Sequence, residues 1–436
     1  MNNLFFNKFF IYILFFLPLS YSIGIAVTEF FLLILSFFFL IKNRDSIYFK
    51  NKISIYLILF SLYIALNSIF QITHSDLIIS SIFHFRYLLF ALSIFFILNY
   101  FDKNDENYKL LAPALFLFVL FILFDSLFQF YSGRNFFGNE IVKNRISGVF
   151  GSELILGGFL IKILPVYFLI VYQFNLSHKK KSLIFFLSLY FIVIYISGER
   201  TSFVLLLIFL FFLFLFLKNL RAVIFFSSIV LIFFISLVSM YEIGKSDPFN
   251  RIFVKTFNQI TNNYFLEKGI RINDNINIKE DFKNSDEIKK NLKVFSRDHQ
   301  GHYILAIDIF KKNKIFGNGP EGFRYHCRKI EYDSNIGMCS THPHNITLQI
   351  LSELGLIGLL FYLIGITYII FNLYRLKKIK IENSDKFSFF VCSFGLLINI
   401  FPFLPSGSFF NNWSQIIIYY YVGLYLYKLN RVFYIK

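Results

Sequence analysis

The chain alternates long apolar runs with short polar breaks. Phe203 to Leu217, for instance, contains no polar residue at all. A helix that crosses a bilayer needs about 20 largely apolar residues. On that measure the pattern predicts twelve spans, near 7–23, 25–41, 53–72, 78–99, 110–130, 154–174, 183–198, 202–217, 222–240, 354–374, 387–404 and 413–427. The ten-residue alternation of an outer-membrane barrel is absent. The expected fold class is an all-α polytopic membrane protein of about 12 transmembrane helices. One segment interrupts the rhythm, from Tyr241 to Glu353. A connection of that length carries function or forms a small domain of its own. The chain thus divides into helices 1–9 (residues 1–240), a large outer loop (241–353) and helices 10–12 (354–436).

Composition agrees. Of 436 residues, 56% are hydrophobic and 16% charged, against about 25% charged in a soluble chain. Soluble, disulfide-scaffold and disordered classes are excluded. The formal net charge of +17 would suggest nucleic acid in a soluble protein. Here its placement matters more. Twelve spans put both termini on one side. The loops sharing that side (42–52, 101–109, 175–181, 218–221 and 375–386), with Lys8 and the C-terminal tail, hold 20 Lys and Arg. The short loops opposite hold four: Arg134, Lys143, Arg145 and Arg200. Lys and Arg stay in the cytoplasm during insertion, so both termini are expected there and residues 241–353 outside. The excess charge is a topology signal and implies no nucleic-acid partner.

The outer face collects the reactive side chains. Seven of eight histidines lie on or near it, namely His74, His84, His299, His302, His326, His342 and His344, leaving only His178 in the cytoplasm. The first half of the large loop, through Asn291, is polar and is expected to be partly irregular. The second predicts a short amphipathic helix over 302–310, with Tyr303, Ile304, Ile307 and Phe310 on one face. A tight turn at Gly317-Asn318-Gly319-Pro320 follows. The richest stretch is Cys339-Ser340-Thr341-His342-Pro343-His344-Asn345. Pro343 suits the first turn of a helix. His344 then sits at a helix N-terminus, where the dipole disfavours imidazolium and leaves a neutral ring able to accept a proton. Gly355 and Gly358 on the same helix allow close approach of another helix or a lipid chain. The alternatives are that His342 and His344 merely cap a helix, or that they contribute to a zinc site. No carboxylate or Cys shows a fitting ligand spacing for the latter.

Arg200 follows Ser197-Gly198-Glu199 in a tight turn between two apolar runs. An arginine fixed there can clamp phosphate oxygens through paired hydrogen bonds, or snorkel to headgroups beside Glu199. Arg297 opens the short loop helix, or is a solvated loop charge. Arg86 needs a partner or an anionic ligand. Arg145 and Glu153 border a substrate pocket or pair with each other, and Lys162 is expected to pair with Asp125. Cys327 and Cys339, on an oxidising side, are expected to form a disulfide that braces the His342 segment. Cys392 reads as a small core residue. No Asp-x-Asp clamp, P-loop, dinucleotide glycine pattern or G-x-S-x-G occurs. That favours a phosphate-bearing donor neutralised by arginines rather than by a divalent metal, with no cofactor.

In these motifs the chain resembles the O-antigen ligase and O-antigen polymerase superfamily of bacterial inner membranes. The resemblance covers the whole layout. Its sharpest piece is the ligase-type pattern of His, Asn, nine residues, Gly, two residues and Gly, fitted by His344, Asn345, Gly355 and Gly358. Thr341-His342-Pro343 flanks it in the family manner. The family also has Arg, three residues, then Leu at an outer turn. Arg200 fits the place, but Val204 occupies the Leu position and Leu205 comes one later. Arg297, ahead of Phe316-Gly317-Asn318-Gly319-Pro320, resembles the family's essential loop arginine. The resemblance implies a metal-independent, membrane-embedded glycosyltransferase with its active site at the periplasmic face. The implied donor is a glycan on undecaprenyl pyrophosphate. The implied acceptor is lipid A–core in a ligase, or a second lipid-linked glycan in a polymerase. On that basis His344, Arg200 and Arg297 are the expected catalytic residues. His342, Asn345, Arg86, Arg145, Glu153, Gly355 and Gly358 are the expected substrate-binding ones. A transporter or flippase of lipid-linked glycan is the rival class. It would be expected to show internal repeats and charges near the midplane, where only Lys162 is deep. A structural envelope protein would need none of the outer arginines and histidines.

Overall fold

The computed structural model describes residues 2–42, 47–71, 81–102, 112–173, 180–259, 295–327 and 339–434. Among them the structure is helical, and β character is confined to two isolated bridges, Arg134 with Glu140 and Val142 with Arg145. In chain order the helices are α1 (Asn2–Ile23), α2 (Ile25–Lys42), the short α3 (Ile47–Lys50), α4 (Lys52–Gln71), α5 (Phe85–Asp102), α6 (Ala112–Ser132) and α7 (Leu156–Gln173). They continue with α8 (Lys180–Ile196), α9 (Arg200–Phe216), α10 (Arg221–Tyr241), α11 (Arg297–Lys312), α12 (Ile346–Leu376), α13 (Asn383–Asn399) and α14 (Asn412–Phe433). Every expected span falls on one of the long helices. Among the described residues five helices are long and apolar enough to cross a membrane: Ile25–Lys42, Lys52–Gln71, Leu115–Ser132, Lys218–Tyr241 and Ile346–Leu376. Phe85–Tyr100, Leu156–Leu169 and Arg200–Phe216 are shorter apolar helices. Phe37, Leu117 and Phe233 point outward from α2, α6 and α10. Contiguous outward apolar faces of this kind belong in lipid.

The helices pack through close crossings. α14 runs against α5 and α13, and α13 against α7. Gly423 permits the first of these, because a Cβ there would lie 2.6 Å from Ile94 Cβ and 2.8 Å from the Ala91 carbonyl oxygen. α13 stops at Asn399, short of the expected 404. Pro402 and Pro405 follow, and the residue before a proline is pushed out of helical geometry. The chain from Ile400 to Asn411 is therefore a loop.

α12 departs most from expectation. It starts at Ile346, three residues after the Pro343 start the sequence suggests, runs on into the tenth expected span as that reading has it, and is broken at Gly355 (φ 67°, ψ −162°). That conformation is essentially restricted to glycine. The break frees amide and carbonyl groups that a continuous helix would pair internally. The turn after α11 takes them up. Leu356 N–H donates to the Lys314 carbonyl (2.9 Å) and Ile357 N–H to that of Ile315 (3.3 Å). Asn318 N–H donates in turn to the Ser352 carbonyl (3.1 Å). From α4, Tyr63 donates its hydroxyl to the Leu354 carbonyl (2.6 Å), and the Asn67 amide reaches the Phe316 carbonyl. The close approach expected at Gly355 is thus to the turn's backbone: a Cβ there would lie 2.5 Å from the Gly317 nitrogen. Gly358 leaves room for Leu354 of its own helix across the break.

A second, small core lies under the outer loop. Leu305, Ala306 and Ile309 of α11 are buried with Phe323 and Cys327, and Cys339 and Leu348 pack against them. The buried residues of α11 include His302, Tyr303, Leu305, Ala306 and Ile309, while Ile307 is exposed. Tyr303 is buried as expected, but the centre of the face is shifted from 304/307/310 to 305/306/309, where Phe323 and the half-cystine pack. Cys327 and Cys339 are joined in a disulfide with Cα atoms 5.5 Å apart. Cys392 is buried in α13.

Gly355→Ala is expected to lower the thermal midpoint of the detergent-solubilised protein, the backbone strain alone costing on the order of 1–3 kcal/mol. Gly407→Ala is the control, since its Cβ would meet only Ser414 Oγ at an ordinary 3.6 Å. Equal midpoints for the two variants would mean that the 315–317 turn is not held against α12.

Candidate functional site

Two clusters of ionisable side chains lie in the segments outside the long apolar helices. The first is made of imidazoles. Asn345 is the N-cap of α12, its side-chain oxygen accepting from Leu348 N–H (3.0 Å). His344 precedes it in the left-handed conformation (φ 54°). Pro343 therefore lies outside the helix rather than in its first turn, and His344 is turned off the helix axis. Its ring lies against those of His342 (centroids 4.1 Å), His302 (5.3 Å) and His299 (5.5 Å). His299 and His302 come from the first turns of α11, where i,i+3 spacing puts both on one face. Ser296 caps that helix and its hydroxyl meets His299 Nδ1 (2.8 Å).

The segment is braced on three sides. The disulfide holds Cys339 to Cys327. The Ile400–Asn411 loop locks the other side: Ser406 N–H donates to the His344 carbonyl (2.9 Å), and both the Asn345 amide (3.2 Å) and the Thr347 hydroxyl (3.0 Å) donate to the Pro402 carbonyl. Gln349, fully buried, bridges the Ser408 hydroxyl (3.0 Å), Phe409 N–H (2.7 Å) and Glu353 (3.2 Å). Glu353 accepts as well from Glu321 N–H (3.0 Å) and Phe323 N–H (3.3 Å), tying the outer turn to α12. The side chain of Asn345 thus serves capping through its oxygen and the Pro402 carbonyl through its amide.

Burial and the three neighbouring imidazoles press His344 down to about 3. Burial, with His302, Arg324 and His299 nearby, lowers His342 to about 4. Both rings are neutral across the physiological range. The low values come from desolvation and like charge, beyond the helix dipole inferred from the sequence.

The second cluster is built around Glu199, the N-cap of α9 on the α8–α9 turn. Its carboxylate accepts from Gly157 N–H (3.0 Å) and Gly158 N–H (2.9 Å) at the start of α7, and from the Ser202 hydroxyl (3.0 Å). Arg145 forms an ion pair with it at 2.9 Å and donates to the Leu154 carbonyl (2.6 Å). The carboxylate partner of Arg145 is therefore Glu199, and Glu153 is exposed. Gly158 is a glycine because a Cβ there would sit 3.3 Å from the Glu199 carboxylate. Arg200 donates through Nε to the Arg251 carbonyl (2.9 Å) and through a terminal nitrogen to Gln259 (3.1 Å). Arg251, on a π-helical turn (Asn250–Val254), donates through Nε to the Gly198 carbonyl (2.9 Å). Three guanidinium groups thus surround one carboxylate. Lys162 is half-buried in α7, within the electrostatic reach of Glu199. It does not take the expected Asp125, which instead accepts from Phe136 N–H (2.8 Å) and the Asn135 amide (3.3 Å).

Arg86 stands apart from both. It pairs with Glu29 (3.1 Å), donates to the Tyr87 hydroxyl (2.8 Å) and to Asn412 (3.3 Å), and lies over the Tyr87 ring. It ties α2, α5 and α14 together, so its charge is answered within the protein. Arg297 is the first residue of α11; its side chain lies outside the described residues, as do His74 and His178. Among the described residues no three His, Cys, Asp or Glu side chains converge to hold a metal ion. Sequence reasoning did not single out Arg251 or the Ile400–Asn411 loop, and counted His299 and His302 only as outer histidines. Asp247-Pro248, a helix-start signal whose Asp247 accepts from Asn250 N–H (2.8 Å), marks the turn that carries Arg251.

Residues 183–363 match the family model described as O-antigen ligase. That stretch includes Glu199, Arg200 and Arg251 of the second cluster, though not Arg145, and the four clustered histidines His299, His302, His342 and His344. Comparison with curated proteins finds no match.

Glu199→Ala strands Arg145 and two amide donors, so a loss of roughly 3–5 kcal/mol is expected, read as a fall in thermal midpoint that Glu199→Gln recovers in part. The imidazole cluster makes stability pH-dependent. Unfolded histidines titrate near 6.5, whereas His342 and His344 stay neutral to about 4 and about 3. Between those values the unfolded chain binds more protons, so stability is lost as pH falls from about 6.5 toward 4. Thermal midpoints measured across that window are expected to drop, and His344→Gln to flatten the slope. A flat wild-type profile would mean that the rings are solvated.

Proposed function

We propose, from the premise that residues 183–363 belong to the O-antigen ligase family, that this membrane enzyme transfers a glycan from undecaprenyl pyrophosphate to an acceptor hydroxyl of lipid A–core. In this reading α1, α2, α4 to α10 and α12 to α14 are twelve transmembrane helices of the bacterial inner membrane, with both termini cytoplasmic. Residues 241–353 and the active site are periplasmic.

The observation that carries the reading is the state of His344: a neutral imidazole turned out by a left-handed backbone, immediately before a capped helix and rigidly braced. In the proposed step the acceptor oxygen attacks the anomeric carbon of the donor sugar. The bond from that carbon to the pyrophosphate oxygen breaks, and its electron pair leaves with undecaprenyl pyrophosphate. The acceptor proton passes to His344. The low proton affinity of His344 in the free protein is a resting state. A dianionic pyrophosphate beside it raises that affinity, so the base becomes effective when donor is bound. Arg200 and Arg297 offset charge developing on the leaving group, and Arg145 holds the turn that presents Arg200. Guanidinium groups do here what a divalent cation does in other glycosyltransferases. Asn345, Gly355 and Gly358 act by shaping and holding the His344 segment rather than by touching substrate.

His344→Ala is expected to abolish transfer while the protein stays inserted and abundant, since the ring makes no hydrogen bond that holds the fold. An active His344→Ala variant would sink the assignment of the base. Acceptor identity is read by deleting the gene in its host and resolving lipopolysaccharide on a gel. Complete core without attached polymer, with long lipid-linked polymer accumulating, is expected. Core bearing a single repeat unit would identify a polymerase, and an unchanged pattern would remove both readings.

A further inference from the structure

The Glu199 cluster holds more positive charge than its carboxylate balances. Arg145 is committed to Glu199 and the Leu154 carbonyl. Arg200 uses Nε and one terminal nitrogen on Arg251 and Gln259. Among the described residues Arg251 uses only Nε, on the Gly198 carbonyl. A Cβ on Gly198 would lie 3.0 Å from Arg251 Cδ and 3.6 Å from Arg145 Cγ, so the two side chains converge over that turn. Gly198 itself has φ 69°, which glycine adopts without strain. Arg251 is about half-buried, and burial together with Arg145 and Arg200 pushes its pKa down. Crowded, partly desolvated guanidinium groups repel one another unless an anion sits among them.

We infer that Arg251 is a direct ligand of the donor's pyrophosphate, closing a two-armed clamp with Arg200 across the Gly198–Glu199 turn. The inference rests on the reading of a pyrophosphate-linked donor. Both arms are coupled through one backbone bond, because Arg200 Nε reaches the Arg251 carbonyl at 2.9 Å. Arg251 keeps its two terminal nitrogens for the ligand, and their fork geometry matches paired phosphate oxygens. Glu199 sets the spacing by fixing Arg145 and the start of α7. Two arms, each engaging its own phosphate group, should recognise a pyrophosphate and be only half used by a monophosphate.

The test uses the full-length protein in nanodiscs, titrated separately with undecaprenyl pyrophosphate and undecaprenyl monophosphate. Arg251→Gln keeps a donor for the Gly198 carbonyl and removes the charge. It is expected to weaken pyrophosphate binding about tenfold or more, as loss of a charge-assisted pair does, while monophosphate binding changes much less. Arg251→Lys, which keeps the charge without the fork, should fall between. Lys311→Gln, which removes a cation that is paired with Asp308 and belongs to neither cluster, should bind both lipids as the wild type does. Wild-type pyrophosphate affinity in Arg251→Gln, or an equal fall for both lipids, would overturn the inference and leave Arg251 a structural residue. If Arg251→Gln does not fold, the same ratio is read on Arg251→Lys, and an unchanged ratio overturns it. Selective loss of pyrophosphate binding in a protein that transfers no glycan would keep the clamp and remove the glycan-transfer reading. Transfer activity with unselective binding would do the reverse.

Discussion

The break in α12 at Gly355 is the constraint on which the outer half of the molecule depends. Breaking an apolar helix leaves backbone amide and carbonyl groups without their intrahelical partners, and burial without new partners is costly. The protein answers them with its own chain: Lys314, Ile315 and Asn318 on one side, Tyr63 on the other. The turn after α11 therefore has one permitted position. Because the same turn leads on to Glu321 and Phe323, which donate to Glu353, the small core of α11 is anchored to α12 as well. His299 and His302 meet His342 and His344 only because of this docking. A glycine that looks like a packing residue in the sequence is thus the reason four imidazoles share one site.

Glu199 plays the equivalent part for the arginines. A carboxylate at a helix N-cap with two glycine amides, a hydroxyl and a guanidinium around it has its hydrogen-bonding capacity filled. It stabilises Arg145 at short range and leaves the remaining guanidinium charge uncompensated. The turn Ser197-Gly198-Glu199 is short enough that α8 and α9 hold it rigidly. Charge at this point is therefore placed by covalent geometry as much as by ion pairing, and a bound anion would meet donors that need little rearrangement.

How much of this was legible in the sequence follows from the range of the interactions. The long helices were, since each is encoded by a continuous apolar run. So was the Cys327–Cys339 pairing, whose two cysteines lie only twelve residues apart. The start of α12 was legible only to within three residues, because Pro343 also suits a first turn, whereas Asn345 caps the helix and Ile346 opens it. What escaped was set between distant segments. Arg145 looked toward Glu153, its neighbour in sequence, whereas Glu199 is its neighbour in space. Lys162 and Asp125 share a depth along their helices but point to different partners. The buried face of α11 was turned by Phe323, far along the chain. Arg251 lay in a polar stretch where no periodicity distinguishes one charged residue from another, and Arg86 gave no sign that Glu29 and Asn412 would reach it.

The two clusters also divide the electrostatic labour in a way that one site could not. A base must be neutral to accept a proton, and a ring beside uncompensated guanidinium charge stays neutral but holds a proton weakly once it has it. A phosphate clamp needs that guanidinium charge in full. With the imidazoles on α11 and the start of α12 and the arginines on the α8–α9 turn and the π-helical turn, each environment is set by its own neighbours: like imidazoles and burial for His344, a single carboxylate among guanidinium groups for Arg200 and Arg251. An anionic substrate spanning both would change them in opposite directions. It would neutralise repulsion among the arginines, and it would raise the proton affinity of His344 toward the range in which a general base is effective. Burial is the first cause of the low proton affinity at both places and like charge the second; in the proposed reading a dianionic group would offset the second at each.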